Sequence, residues 1–182
     1  GLWGVEVNLH TCRWVQKVVV EHVVTRNQSG QFHFLEFDHD KYPGRGGGGD
    51  SYYNNGEYTT GVSYFNRGIG SPLIPSPEYN EDGTLGFPNN RVSDWHVGIS
   101  GELSTQVSYR LLATAMNTYG SHARPFRDIK QGVSGLLDIT YKHPKLEDWQ
   151  FTGTVAGDAR ELFGRSLGVG IKITKTGILK NW

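Results

Sequence analysis

The chain has 182 residues, with 18 basic and 18 acidic side chains and a mean hydropathy of −0.47. This charge balance indicates neither a nucleic-acid partner nor an acidic tail, and the lack of any apolar run of about 18 residues excludes a transmembrane helix. Cys12 is the single cysteine, so an internal disulfide and a Cys-x-x-Cys metal or redox site are excluded. The 25 glycines and the 12% of aromatic residues favour strands and turns.

The chain begins with two segments in which apolar and polar side chains alternate. Residues 2–9 alternate strictly, and a second, less regular strand is predicted for 14–25 after a short connection at 10–13. Alternation with a period of two is typical of a strand that has one apolar and one polar face. We therefore predict two strands in this part of the chain.

Residues 26–90 break the alternating pattern. Turn-forming residues dominate them, above all the glycine-rich run at 44–50 and the proline-rich segment at 71–79. Because a connection this long inside a compact domain is usually functional, we predict a long extracellular or plug-like loop at 26–90. Apolar stretches at 32–37 and 58–65 are candidates for additional short strands.

The same loop holds a cluster of aromatic and amide side chains. Aromatic rings stack on the C–H faces of sugars and amides bond sugar hydroxyl groups, so this cluster is a candidate polysaccharide-binding site. The alternative is that these side chains pack the loop against itself or against the neighbouring strands. The cluster consists of Tyr52, Tyr53, Asn54, Asn55, Tyr58 and Tyr64.

Regular strands resume at 94–103 and 107–115, joined by a tight turn at 104–105. A further loop is predicted at 119–131, in which Arg124 and Arg127 are candidates for attracting an anionic polysaccharide. Ordinary solvated loop charge is the alternative interpretation of these two arginines.

The stretch 132–174 carries the clearest signal, with three alternating runs of about 9–11 residues each. A tilted strand needs this length to cross a bilayer. Because all backbone polar groups in lipid must be paired, strands that cross a membrane belong to a closed barrel. Short connections at 10–13, 104–105 and 143–148 also alternate with longer ones, as in barrels with short periplasmic turns and long extracellular loops.

Tryptophan and tyrosine residues are sorted to the ends of the predicted strands. Membrane proteins place these side chains at the two lipid–water borders. The external group is Trp3 and Trp95, and the periplasmic group is Trp14, Tyr109, Tyr141 and Trp149.

Together these features predict an all-β fold class, a transmembrane antiparallel up-and-down β-barrel in the bacterial outer membrane, with lipid against its outer face. Residues 1–182 are predicted to be part of one barrel domain that has seven strands in this chain. Because single-chain bacterial barrels have even strand numbers, we expect upstream strands, or strands from another segment, to complete the barrel.

Other motifs have simpler interpretations. The glycines at 44–49 satisfy G-x-G-x-x-G, but without the strand and helix that a dinucleotide site needs. Oxygen or imidazole ligands for a cation occur at 38–40 and 80–83, where solvated loop charge is the better explanation. We therefore predict no metal ion and no cofactor. An acid/base set would be possible, but no serine in a nucleophile context accompanies it, and charges inside the barrel explain it better. That set is His22, Asp94, His96 and Glu102.

Several runs of sequence, taken in order, resemble a known family. They are 20–30, 50–58, 61–64 and 68–73, followed by Leu146–Trp149, Asp158 and 164–177. This ordered set is similar to the C-terminal part of the Wzi-type capsule-assembly outer-membrane proteins. The resemblance implies a large monomeric barrel that binds capsular or other surface polysaccharide and helps to attach it to the cell, without catalysis or cofactor. Of the family's functional pattern, we carry over only Tyr52–Asn55, Tyr58 and Gly68–Pro72, for which a ligand-binding role and an architectural role are the two alternatives.

The first functional hypothesis is therefore a non-enzymatic outer-membrane barrel that binds surface polysaccharide and helps to assemble it at the cell surface. Its expected partners are the polysaccharide, outer-membrane lipid and other outer-membrane assembly proteins. A porin-like channel, or a barrel subunit of a larger transport or export assembly, is the alternative. A barrel-embedded hydrolase and a soluble β-sandwich are the remaining alternatives.

Overall fold

The computed structural model describes residues 1–28, 51–54, 57, 60–81, 83–146 and 148–176. Within these ranges the protein is all-β, and no helix is long and apolar enough to span a membrane. The strands are β1 (Leu2–Asn8), β2 (Lys17–Val24), β3 (Ser63–Tyr64), β4 (Arg67–Gly68), β5 (Glu78–Tyr79), β6 (Leu85–Gly86), β7 (Val92–Glu102), β8 (Val107–Gly120), β9 (Pro125–Lys142), β10 (Trp149–Ala159) and β11 (Ser166–Lys175).

The seven long strands form one sheet in the order β1-β2-β7-β8-β9-β10-β11, so long strands that are neighbours in the sheet follow one another along the chain. Strand β10 pairs antiparallel with both β9 and β11. The predicted all-β class and the seven successive strands are therefore confirmed. Within the described residues the sheet does not close, and β1 and β11 are its two edges. Two short hairpins, β3–β4 and β5–β6, lie in the predicted long loop.

The loop predicted at 119–131 is wrong for most of its length. Strand β8 continues to Gly120 and β9 begins at Pro125, which leaves only residues 121–124 as a connection. The two strands stay bonded in this part, where the Thr118 hydroxyl donates to the Lys130 carbonyl at 3.1 Å. The charged side chains suggested a loop, but a paired strand accommodates charge wherever its side chains reach water.

The chain forms two compact units. We call residues 1–2, 23–94 and 116–131 the loop-bearing unit, and residues 3–22, 95–115 and 132–182 the sheet unit. All four buried hydrophobic side chains among the described residues belong to the loop-bearing unit, and they are Ile74, Phe87, Val92 and Met116. Buried polar side chains accompany them there, namely Asn89, Asn90, Asp94, Thr118 and Ser121.

Most apolar side chains of the sheet unit lie on one face, where many of them are exposed, whereas Val19, Leu112 and Leu136 lie on the opposite face. In the register of β9, β10 and β11, Val155 lies opposite Leu137 and Val169, and Gly153 lies opposite Ile139 and Ile171. Exposed fractions on this face range from 36% at Tyr141 to 88% at Ile171. The other members of this apolar face are Trp3, Val5, Val7, Trp95, Val97, Leu111, Val133, Leu167 and Ile173.

The opposite face of the sheet unit is polar, and its side chains bond one another across strands. Asp138 accepts hydrogen bonds from Arg110 Nε at 3.0 Å and from the Thr154 hydroxyl at 2.6 Å. The hydroxyl groups of Thr140 and Thr152, directly opposite in the register, are 2.9 Å apart. Side-chain hydrogen bonds thus connect β8, β9 and β10 across this face.

A β-bulge lies opposite Gly101 of strand β7, where two residues of the segment before β2 face a single residue. Gln16 N–H donates to the Ser100 carbonyl and Glu102 N–H donates to the Arg13 carbonyl, both at 2.9 Å, so Trp14 and Val15 together face Gly101. A Cβ atom added at Gly101 would lie 2.0 Å from the Trp14 carbonyl oxygen. This bulge also explains why the predicted strand at 14–25 begins only at Lys17.

Gly101→Ala is expected to lower the free energy of unfolding by about 1–3 kcal/mol, because the new methyl group meets backbone that cannot move aside. Gly153→Ala is the matched control, since a Cβ atom there has nothing within 4 Å. The control is expected to leave stability unchanged or to raise it by up to about 1 kcal/mol. Urea unfolding followed by tryptophan fluorescence measures both, and equal midpoints for the two variants would contradict the steric argument.

Candidate functional site

The described part of the aromatic and amide cluster is held by side-chain bonds to backbone. The Tyr52 N–H donates to Gln28 Oε1 at 2.6 Å, and the Gln28 amide nitrogen donates to the Asn90 carbonyl at 2.9 Å. The buried Asn90 side chain in turn bonds the Ser51 hydroxyl. Residues 51–54 are thus tied to the chain at 87–92 without forming a strand.

Asn54 is used for structure. Its Oδ1 atom accepts the N–H of Phe87 at 2.7 Å, and its Nδ2 atom donates to the Phe87 carbonyl at 2.9 Å. Tyr53 packs edge-on against the Phe87 ring, with the ring centroids 5.2 Å apart. For these two residues the structure favours packing of the loop, which was the alternative to sugar contact.

A cleft of about 500 Å³ opens beside Phe87 in the loop-bearing unit. It brings together Asn54 and Arg124, which come from two separate groups of candidate residues. Its remaining lining combines apolar rings with a few polar groups, the composition typical of ligand sites. The lining residues are Asn54, Asn80, Leu85, Gly86, Phe87, Pro88, Ser121, Ala123, Arg124, Pro125 and Phe126.

Arg124 is oriented by two contacts with its surroundings. Its Nη1 atom donates to Asn80 Oδ1, and its backbone N–H donates to the Ser121 hydroxyl at 3.0 Å. Asn80 is itself fixed, because its Nδ2 atom donates to the Thr84 hydroxyl at 2.9 Å. A guanidinium has five N–H donors, so the bond to Asn80 leaves donors that can reach a ligand.

The cleft has a positive border. The Lys130 ammonium group lies 4.5 Å from the centroid of the Phe126 ring, within cation–π distance. Elsewhere in the same unit, burial, reinforced by the nearby charge of Arg26, lowers the pKa of Arg91 from its ordinary value. The Arg26 guanidinium lies 4.4 Å from the centroid of the Tyr119 ring. At the cleft itself, the charges of Arg124 and Lys130 favour an anionic ligand over a cationic one.

The other predicted site residues lie in different places. Tyr52 is exposed and makes an edge-on ring contact with Tyr53, while Tyr64 is exposed on the hairpin β3–β4. Arg127 lies on strand β9, exposed, and does not line the cleft. Asn55 and Tyr58 lie outside the described residues.

Sequence reasoning missed Asn80 and Phe126 as members of the cleft. Asn80 was considered only as a cation ligand, and Phe126 lay inside the loop predicted at 119–131. The turn-forming sequence at 80–83 was the available signal that Asn80 has a fixed backbone position. In the structure this turn is closed by the Gly83 N–H, which donates to the Asn80 carbonyl at 3.0 Å. No local pattern would have paired it with Arg124, 44 residues away.

The proposed acid/base residues have structural partners. His22 stacks on Trp95 at 4.4 Å between ring centroids, and Glu102 pairs with Arg13 at 3.7 Å. The nitrogen Nδ1 of His96 lies 2.8 Å from the Thr114 hydroxyl. His96 and Thr114 line a groove of about 350 Å³ on the polar face of the sheet unit.

That groove contains two serines, but their hydroxyl groups bond a carboxylate. Ser134 donates to Asp158 Oδ1 at 2.6 Å and Ser166 donates to Asp158 Oδ2 at 2.8 Å. A serine nucleophile needs a base within hydrogen-bond reach to take its proton. Among the described contacts both serines bond a carboxylate, and the hydroxyl group beside His96 is that of Thr114.

Within the parts of the chain that the structure describes, no three His, Cys, Asp or Glu side chains form a group that would hold a metal ion. The candidate ligands at 38–40 and the glycine motif at 44–49 lie outside the described residues. Comparisons with protein-family models, curated proteins and solved structures gave no match to this chain. The resemblance to Wzi-type proteins therefore stays a prediction.

Asn54→Ala is expected to loosen the loop-bearing unit by about 2 kcal/mol, because both backbone groups of Phe87 lose their partner. Trypsin cleavage after the exposed Arg67 reports this loosening, and it should become about 30-fold faster. Tyr52→Ala is the control, since its exposed ring makes no hydrogen bond among the described contacts. Similar cleavage rates for both variants would mean that Asn54 does not fix this unit.

Proposed function

We propose that the sheet unit is part of the wall of a bacterial outer-membrane β-barrel, and that the loop-bearing unit binds a surface polysaccharide at the cleft beside Phe87. The protein then holds capsular or similar polysaccharide at the cell surface without acting on it chemically. The exposed apolar face of the sheet unit is the single observation that carries the membrane part of this proposal.

Contact with water is energetically unfavourable for the apolar side chains of that face. Burying an apolar side chain such as leucine or isoleucine is worth about 1.5–3 kcal/mol, and most side chains of the face are left more than a third exposed. The opposite face carries Asp138, Arg110 and Lys172, so a second apolar layer on that side is unsuitable. Lipid on one side and water on the other satisfies both faces at once.

Aromatic side chains near the ends of the strands add support. Trp3, His22 and Trp95 form a compact ring cluster on the apolar side, with centroid distances of 4.4–5.5 Å. In the group of aromatic residues predicted at the periplasmic border, the Tyr109 hydroxyl donates to the Trp14 carbonyl at 2.8 Å. Rings with one apolar body and one polar atom suit the border between lipid and water.

The cleft supplies the chemistry for a sugar. The Phe126 ring offers an apolar surface, while the Asn80 amide and the Arg124 guanidinium supply hydrogen-bond donors and acceptors. The positive border formed by Arg124 and Lys130 favours sugars that carry a carboxylate, with which guanidinium forms strong, oriented bonds. The implied ligand is an acidic polysaccharide, in agreement with the resemblance to capsule-assembly proteins.

The membrane assignment predicts a strong difference between two neighbouring positions of β11. Ile171→Arg places a charge on the apolar face and is expected to cost about 2–4 kcal/mol of folding in lipid. Gly170→Arg places the same charge on the polar face, where the nearest contact of a new Cβ atom is an ordinary 3.7 Å, and should fold normally. Folding into phosphatidylcholine vesicles, followed by protease protection, separates them. Equal folding of both variants would argue against lipid on the apolar face.

The cleft assignment predicts a difference between two arginines. Arg124→Ala is expected to weaken the binding of fluorescent oligogalacturonate about tenfold, because one charge-assisted bond to the ligand is lost. Arg127→Ala removes the same charge from an exposed position outside the cleft and should change the dissociation constant less than about twofold. Fluorescence polarisation measures both, with neutral dextran as the non-binding comparison. Equal losses for the two variants would reduce the effect to general charge attraction.

A further inference from the structure

The hairpin formed by β3 and β4 has an unusual turn. Tyr64 pairs with Arg67, so Phe65 and Asn66 form a two-residue loop, with φ angles of +46° and +59°. Both residues are in the left-handed region, as the tight hairpin turns of this kind require. Asparagine tolerates this conformation, whereas phenylalanine adopts it at a local cost of about a factor of ten in stability.

The Phe65 side chain does not offset this cost through burial. It is 83% exposed, and its only ring contact among the described residues is with Tyr64, which is itself 69% exposed. The two ring centroids are 4.6 Å apart and the ring planes are almost perpendicular, at 85°. The hairpin therefore presents two aromatic surfaces to solvent at the expense of its own stability. Strain held at such a position is characteristic of functional sites.

The base of this hairpin rests on a residue of the cleft. A Cβ atom added at Gly68 would lie 3.1 Å from the Phe87 ring, and one added at Gly61 would lie 2.8 Å from it. Phe87 also lines the cleft. The base of the hairpin and the lining of the cleft thus share the buried Phe87 ring in the loop-bearing unit.

We infer that the tip, residues Tyr64–Arg67, is a second sugar-binding contact for the polysaccharide that occupies the cleft. The rings of Tyr64 and Phe65 offer apolar surfaces to a pyranose, and the exposed Asn66 and Arg67 add an amide and a guanidinium. A stable protein interface needs about 800 Å² from each partner, more than two rings provide, whereas a single sugar residue matches this size. This inference rests on the proposed polysaccharide-binding function.

A polymer that reaches both contacts gains affinity because its second contact forms within an existing complex. The experiment compares oligogalacturonates that are four and about twenty sugars long, measured by fluorescence polarisation on the complete protein. The unmodified protein should bind the long probe about tenfold more tightly than the short one. Phe65→Asn should abolish this advantage and leave binding of the short probe unchanged, while Phe65→Tyr should keep it.

Arg124→Ala separates the role of the cleft from the role of the tip, because it should weaken the binding of both probes. A length advantage that survives Phe65→Asn would overturn the role of the tip and leave the cleft intact. Failure of the unmodified protein to bind either probe would overturn the role of the tip together with the proposed function.

The strain itself is measured separately. Phe65→Asn replaces a strained residue by one that tolerates the left-handed conformation, so tryptic cleavage after Arg67 should become about fivefold slower. A variant that is more stable and binds the long probe less well would show that Phe65 serves binding. Cleavage that is equally fast or faster would remove the premise that Phe65 is kept at a cost to the fold.

Discussion

An antiparallel sheet in which apolar and polar side chains alternate has two faces that need different surroundings, and this requirement governs the whole sheet unit. On the polar face, Asp138 joins β8, β9 and β10 through its bonds to Arg110 and Thr154. On the apolar face, side chains such as Val169 and Ile171 have little protein cover among the described residues. The lipid environment that we propose would satisfy the apolar face and leave the polar network in water.

The loop-bearing unit is stabilised largely by hydrogen bonds from side chains to backbone. Many of its described residues lie outside the strands, so their backbone groups cannot all pair within a sheet, and unpaired buried groups are costly. Amide and hydroxyl side chains take over this task, as Asn54 does for Phe87 and Thr25 does for Asn90. The small apolar core around Phe87 and Val92 is thereby enclosed by polar side chains that bond to backbone.

The way in which the loop-bearing unit is stabilised supports the proposed function. A unit stabilised by side-chain bonds to backbone can carry exposed groups that contribute little to its own stability, among them Arg124, Tyr64 and Phe65. Positive charge beside an aromatic ring in a cleft suits an acidic sugar polymer.

The alternation of side chains by itself determined the all-β class, the seven successive strands and their apolar face, because a strand turns every second side chain to the same side. Residue composition and charge also pointed to the aromatic and amide loop and to Arg124. Local sequence did not separate the charged strand at 125–131 from a loop, since charge is compatible with both.

Only the tertiary structure decided which candidates line the same cleft. Asn54 meets Phe87 across 33 residues and Arg124 meets Asn80 across 44, so the cleft arises from contacts that no local pattern encodes. The left-handed backbone of Phe65 likewise follows from pairing of Tyr64 with Arg67, which imposes a two-residue turn on a residue unsuited to it. Periodicity is a property of the backbone and can be read along the chain, whereas a binding site depends on which distant side chains the fold brings together.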